Sequence, residues 1–178
     1  MPGGRIDPAR PFVPLGIAVL TVSDSRDAAS DTSGDLLAEL IVTAGHRLAA
    51  RALVRDSKEQ IQQQLGRWIG APEVDVIIST GGTGLTGRDV TPEAVRELLE
   101  RELEGFAVLW HLVSYETVGV STMQSRACAG IAGGKVIYAL PGSNGACRDG
   151  WDRLIRPQLD SRHRPCSIVE VIPRFHET

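Results

Sequence analysis

Four glycines fall within the seven positions from Gly81 to Gly87, and their flanks decide what such a loop can belong to. Upstream lies an apolar run, Val74-Asp75-Val76-Ile77-Ile78, that predicts a buried strand. Downstream, Thr91-Pro92 reads as a helix N-cap followed by proline at the first helical position. A glycine-rich loop between a strand and a helix lets bare backbone N–H groups approach a ligand, and in α/β proteins such loops hold phosphate. The same loop carries a cation, Arg88, and a carboxylate, Asp89. Amides, guanidinium and carboxylate together point to nucleotide chemistry.

The rest of the chain alternates strand and helix patterns. Gly16 to Val22 is apolar almost throughout, as a parallel strand buried on both faces would be. Leu36, Leu37, Leu40, Ile41 and Ala44 share a helical face that Gly45 stops. Leu48, Ala50, Ala52 and Val54 alternate as in a strand. Ser57-Lys58-Glu59-Gln60 has the form of a capping box, and Ile61, Leu65, Trp68 and Ile69 continue a helical face. Beyond the glycine loop, Val95, Leu98, Leu99 and Leu103 predict one helix. Phe106 to Val113 predicts another, apolar nearly all round and broken only by His111. A subunit interface and a central core position are both open for it. Lys135 to Leu140 predicts a strand, Pro141-Gly142-Ser143-Asn144-Gly145 a turn, Trp151, Leu154 and Ile155 a last helix, and Ile168 to Ile172 a closing strand. The pattern gives an α/β fold with a mostly parallel, helix-covered sheet. At 178 residues one domain is expected, residues 15–178, behind a flexible arm, residues 1–14, rich in Pro, Gly and Arg.

Composition removes several functions. A net charge of −3 makes no electrostatic case for nucleic acid. No apolar run approaches the ~20 residues of a membrane helix, so no membrane partner is expected. The N-terminal stretch lacks the apolar core of a signal peptide. Cys128, Cys147 and Cys166 are widely spaced and form no CxxC pair, which argues against a disulfide framework or zinc site and fits a reducing cytoplasm.

In open α/β sheets ligands bind beyond the carboxyl ends of the strands. Three predicted strands end in suitable loops: Ser23-Asp24-Ser25-Arg26, the glycine loop from Thr80, and Pro141-Gly142-Ser143. If the strands are parallel, these loops share one edge, and Asp56 at the end of the alternating strand could add a second carboxylate. Each has a plainer reading. Asp56 could cap the helix after Ser57, Asp24 could close an Asx-turn, Asp89 could form a turn before Thr91-Pro92, Pro141-Gly142 is a common turn, and Arg88 could be a solvated charge. Gly82-x-Gly84-x-x-Gly87 matches a dinucleotide fingerprint formally, but Pro92 delays the helix and no second strand ending in an acid follows. No Gly-Lys-Ser/Thr follows the glycines, no Gly-x-Ser-x-Gly elbow exists, and His46, His111, His163 and His176 show no ligand spacing. His111 reads as a satisfied core or interface residue.

Thr80-Gly81-Gly82-Thr83-Gly84 with Arg88-Asp89-Val90-Thr91-Pro92-Glu93-Ala94 resembles the signature of the MoaB/MogA family of molybdenum cofactor biosynthesis proteins, which includes the G domain of gephyrin. Thr21-Val22-Ser23-Asp24-Ser25-Arg26, Asp31-Thr32-Ser33-Gly34, Glu104-Gly105-Phe106 and Leu140-Pro141-Gly142-Ser143 match in order and spacing. Leu112-Val113-Ser114-Tyr115-Glu116 and Ser121-Thr122-Met123-Gln124-Ser125-Arg126-Ala127 are similar to the MoaB branch, as is the short ending around Arg164-Pro165-Cys166. The resemblance implies a three-layer α/β/α domain with a mostly parallel central sheet, assembling as a homotrimer or homohexamer, with other cofactor-biosynthesis proteins as further partners. It implies binding of molybdopterin and, in active members, its adenylylation by ATP with Mg²⁺. A non-catalytic pterin-binding or assembly module of the same pathway is the alternative. Two aspartates are implicated in the active branch, and Asp56 and Asp89 fill both positions. Asp89 is then the candidate Mg²⁺ ligand, with Asp56 helping to hold metal or orient the pterin. Gly81, Gly82, Thr83 and Gly84 would donate amides. Ser23, Ser33, Ser125 and Ser143 are candidate hydrogen-bonding groups, and Arg126 a candidate phosphate ligand. Asp24, Gly34, Thr80, Glu93, Pro141 and Gly142 complete the implied substrate- and nucleotide-binding set.

Overall fold

The computed structural model describes residues 4–177; the first three residues of the segment read as an arm, and residue 178, lie outside the described residues. The chain runs β1 (Arg5–Ile6), β2 (Gly16–Val22), α1 (Thr32–Thr43), β3 (Arg47–Val54), α2 (Lys58–Ile69), β4 (Val76–Thr80), α3 (Thr91–Arg96), β5 (Arg101–Glu102), α4 (Glu104–Val118), β6 (Cys128–Ala132), β7 (Lys135–Leu140), α5 (Asn144–Gly150), α6 (Arg156–Leu159) and β8 (His163–Arg164). A turn of π-helix, Trp151–Ile155, joins α5 to α6.

β2 is buried from end to end because both of its faces are covered. Successive side chains of a strand point to opposite faces. Ile17, Val19, Ile78, Val136 and Tyr138 therefore enter one core with Leu37 and Ile41 of α1, Phe106 and Trp110 of α4, and Cys147 of α5. Ala18, Leu20, Ile77, Ile137 and Ala139 enter a second core, against Ile61, Leu65 and Trp68 of α2 and Ala94 and Val95 of α3. The outcome is three layers around a six-stranded sheet of order β3-β2-β4-β7-β6-β5. β3, β2, β4 and β7 run parallel, β6 runs antiparallel to β7, and the edge strand β5 runs antiparallel to β6. From β2 the chain crosses through α1 to β3 on one side, then through α2 to β4 on the other. The strand order thus reverses at β2, and a crevice at the carboxyl ends of β2 and β4 is the ordinary ligand position in such a sheet.

Besides the short β1–β8 pair, which has no counterpart in the sequence expectation, three regions differ from it. The helix expected to reach Leu103 ends at Arg96, because the chain is captured at the sheet edge: Arg101 and Glu102 pair with Ile131 and Gly130. A side chain at Gly130 would collide with Leu99 and the Arg101 carbonyl, so glycine there lets the edge close. Ile168 to Ile172 is not a strand; it forms two 3₁₀ turns, Ile168–Glu170 and Ile172–Arg174. Pro173 lacks the N–H a ladder would use, and Val169 is buried in the first core. β6 has no counterpart in the expectation. It forms a hairpin with β7 in which Ala132 pairs with Lys135 across Gly133 and Gly134, both at positive φ (54° and 76°).

α4 divides its apolar surface. Phe106, Trp110 and Val113 are buried, whereas Val108, Leu112 and Tyr115 are more than half exposed. Half-buried His111 shares a hydrogen bond with Thr122 Oγ1 at 3.1 Å. Residues 4–14 lie along the C-terminal segment. Arg5 and Ile6 pair with Arg164 and His163, the Val13 amide donates to Ser161 Oγ (2.9 Å), and Arg10 meets Glu170 at 2.5 Å. Cys128, Cys147 and Cys166 are free thiols. Among the described residues, no helix is long and apolar enough to cross a membrane.

Candidate functional site

The loops after β2, β4 and β7 do converge on one edge. They enclose a cleft of about 620 Å³ lined by Ser23, Asp24 and Arg26 from the first loop, Gly81 to Gly84, Thr86, Arg88 and Asp89 from the second, and Pro141, Gly142 and Ser143 from the third. Asp56, after β3, and Gln124 and Ser125, before β6, complete the wall.

The three loops are tied to one another. Thr80 Oγ1 donates to the Pro141 carbonyl (3.0 Å) and the Gly81 amide to the Leu140 carbonyl (3.0 Å). Arg26 spans the first and third loops, donating to the Gly142 carbonyl (3.1 Å) and to Ser33 Oγ (2.5 Å). Gly81 and Gly82 take positive φ (103° and 63°), which is easy only for glycine. A side chain on Gly81 would strike the Val22 carbonyl, and one on Gly82 would strike Thr91 Oγ1 and Asp56 Oδ1. These two glycines let the loop backbone lie against β2 and beside Asp56.

The carboxylates differ in how they are held. Asp24 Oδ1 accepts from the Asp56 amide (3.2 Å), while Asp24 Oδ2 lies 3.8 Å from Arg88. Asp89 Oδ2 accepts from both the amide (2.8 Å) and hydroxyl (2.6 Å) of Thr86. The Thr86 hydroxyl is the main reason the Asp89 carboxyl is held below its ordinary pKa. Asp56 goes the other way: burial, and then the negative charges of Asp24 and Asp89, raise it. The side chain of Arg88 is 81% exposed, so its approach to Asp24 neutralises little of this charge. The cleft therefore presents a surplus of carboxylate beside a row of glycines. That donor set suits Mg²⁺, which takes one or two carboxylates and fills its remaining positions with phosphate oxygens and water. Among the described residues no group of three or more His, Cys, Asp or Glu side chains could hold a metal by itself.

Of the residues expected from sequence, Ser23, Asp24, Asp56, Gly81, Gly82, Thr83, Gly84, Asp89, Ser125, Pro141, Gly142 and Ser143 line the cleft. Ser143 also caps α5, accepting from the Ala146 amide at 3.2 Å, and Ser125 Oγ accepts from Trp110 Nε1 at 2.9 Å. Five others stand behind the wall. Ser33 accepts from Arg26, and Thr80 bridges two loops. Gly34 is packed so closely against Asp31, Thr21 and Arg51 that any side chain there would collide with them. Glu93 and Arg126 pair with each other. Arg126 Nε and Nη2 donate to the Gly84 (2.8 Å) and Asp89 (2.6 Å) carbonyls, so its guanidinium is spent within the chain. Arg26, Thr86 and Gln124 line the cleft without having been singled out. Thr86 three residues before Asp89 had a readable signal, since an acid three residues after a Ser or Thr can reach back to its amide, as in a capping box. Gln124 carried none outside its family stretch.

Residues 18–161 match the family model described as a probable molybdopterin binding domain. The chain is 46% identical over 157 residues to molybdenum cofactor biosynthesis protein B of Escherichia coli (strain K12), covering 88% of this chain and 92% of that protein. A crystal structure of a molybdenum cofactor biosynthesis protein B superposes with a TM-score of 0.85 at 38% identity, covering 95% of this chain and all of the other (100%). The tungsten cofactor synthesizing protein MoaB from Pyrococcus furiosus superposes with a TM-score of 0.69 at 35% identity, covering 77% of this chain and 88% of that one. With its signature loop lining the cleft and these likenesses spanning nearly its whole length, the chain belongs to the MoaB/MogA family of molybdenum cofactor biosynthesis proteins.

Proposed function

We propose that this protein binds molybdopterin in the cleft and adenylylates it with Mg-ATP. The observation that carries the reading is the set of three aspartates, Asp24, Asp56 and Asp89, that line the cleft beside the glycine loop, with Asp56 raised by burial and then by its like-charged neighbours. Uncompensated carboxylate beside phosphate-binding amides is what a site for a cation–polyphosphate complex requires. In the reaction an oxygen of the pterin's terminal phosphate attacks the α-phosphorus of ATP, the bond to the β-phosphate breaks, and pyrophosphate leaves. The nucleophile is already an anion, so no strong base is needed. Positioning two polyanions and offsetting their charge is the main task. Mg²⁺, when bound, would neutralise part of the triphosphate charge. Asp89 would hold it, with Asp56 beside it holding metal or orienting the pterin. The amides of Gly81 to Gly84 would receive phosphate oxygens. Arg88, exposed and only loosely paired, is free to swing onto a phosphate. Ser23, Ser125 and Ser143 offer hydroxyls to pterin or phosphate.

The test is direct. Purified protein given molybdopterin and Mg-ATP should release pyrophosphate and form adenylylated pterin. Pterin binding without product would favour the non-catalytic module instead. The half-exposed apolar side of α4, continued by Val120 (70% exposed) and Met123 (79% exposed), supports assembly as a homotrimer or homohexamer. Light scattering on the purified protein should return three or six chain masses, and a monomer mass would remove that assignment.

A further inference from the structure

The loop from Gly84 to Asp89 has no regular secondary structure, yet it carries Asp89, the carboxylate to which the proposed function gives the metal. Within the loop, Thr86 fixes the orientation of the Asp89 carboxylate. Nothing in those bonds fixes the loop against the sheet. Arg126 does. Its Nε donates to the Gly84 carbonyl (2.8 Å) and its Nη2 to the Asp89 carbonyl (2.6 Å), so one planar fork grips both ends of the loop. Its Nη1 donates to the Glu93 carboxylate on α3, and its backbone amide to the Thr83 carbonyl (3.0 Å). Every guanidinium nitrogen is thereby engaged within the chain. Only a rigid, five-donor fork can make these bonds together; a lysine ammonium cannot span them.

We infer that Arg126 is a positioning residue that sets the Asp89 loop in register with the cleft, rather than a phosphate ligand. The inference rests on the adenylyl-transfer reading of the site. Glu93 is the outer anchor: it orients the guanidinium from α3, and although burial pushes its carboxyl up, the bond from Arg126, its own backbone amide and the charges of Arg126 and Arg96 together hold it below its ordinary pKa. Phosphate contact then falls to Arg88, on the same loop, whose side chain is 81% exposed.

The experiment compares Arg126→Gln, Arg126→Lys and Glu93→Gln, alone and combined with Asp89→Asn, by steady-state adenylylation and by amide hydrogen exchange. Arg126→Gln should lower kcat by about tenfold or more and leave the KM for ATP within about twofold, because it removes placement rather than binding. Arg126→Lys should not restore kcat. On the Asp89→Asn background the same change should add little further loss, since both substitutions act through one group. The amides of Thr86 and Asp89 should exchange faster in Arg126→Gln than in the parent protein. A raised KM for ATP with kcat intact would make Arg126 a phosphate ligand after all. Losses that multiply with Asp89→Asn, or unchanged exchange in the loop, would equally overturn the inference. If Arg126→Gln does not fold, Glu93→Gln removes only the charge at the outer anchor and should speed exchange at the same two amides to a smaller extent; no change there overturns it too. If the parent protein makes no product, the adenylyl-transfer reading fails, and the exchange measurement still decides what Arg126 does to the loop.

Discussion

Two aspartates on the same edge of the sheet, Asp31 and Asp56, are built into opposite surroundings. Asp31 caps α1 and is 1% exposed. It accepts from Thr21 Oγ1 (2.8 Å), the Gly34 amide (3.0 Å) and Arg51 Nη2 (2.7 Å). Burial alone would raise its pKa, but these bonds outweigh it and hold the carboxyl below the ordinary range. Asp56 is half-buried, forms no ion pair among the described residues, and feels Asp24 and Asp89 more strongly than the exposed Arg88. One corner spends a carboxylate on holding β2, α1 and β3 together. The other keeps a carboxylate uncompensated, which costs the folded state something and is useful only when a cation, alone or on a polyphosphate, arrives. Crowded like charge in a cleft is therefore a better pointer to chemistry than the presence of an acid in a family motif, because Asp31 and Asp56 both stand in such stretches.

Asp89 lies between these extremes and gives the largest expected effect. It is satisfied by Thr86 like a structural residue, yet it faces the cleft. Asp89→Asn keeps an oxygen to accept from Thr86 and removes the charge. Adenylylation should fall by on the order of a hundredfold or more, while thermal unfolding and pterin binding change little. A variant with full turnover would place Asp89 with Asp31, as a residue that only shapes its loop.

The sequence was legible where one residue type has one physical reason to be present. The run Gly16 to Val22 could be nothing but a doubly covered strand, and positive φ at Gly81 and Gly82 explains glycines that a simple turn would not need. The convergence of three loops followed from parallel strands alone. What failed was decided by distant contacts. Leu98, Leu99 and Leu103 are spaced like a helical face, but pairing of Arg101 with Ile131, thirty positions away, interrupts the helix. The site misled in the same way. Arg126 reads as a phosphate ligand by residue type, and only the positions of Gly84, Asp89 and Glu93 show where its donors go. Arg26 was visible in its loop, but its span to Ser33 and Gly142 was not.

The Asp31–Asp56 contrast is sharpest under one substitution made at both positions. Asp31→Asn takes the buried carboxylate from Arg51, which keeps Asp35 and the residue-31 carbonyl, and leaves Thr21 and the Gly34 amide competing for a single oxygen, so urea unfolding at about pH 7 should lose about 2 kcal/mol. That loss should shrink with acidity, because a lowered carboxyl stabilises above its unfolded pKa and ceases to do so as pH falls through the folded one. Asp56→Asn should do the reverse, on a smaller scale. A raised carboxyl binds its proton more tightly in the folded than in the unfolded protein, so ionisation works against folding as pH climbs past the ordinary carboxylate range. Removing the charge should therefore raise the melting temperature of the ligand-free protein slightly at neutral pH, and the gain should fade toward about pH 4, where the parent Asp56 is itself increasingly protonated. The same variant should make less adenylylated product. A fall in melting temperature at neutral pH would mean that Asp56 is a compensated structural acid, and the contrast between the two corners would collapse.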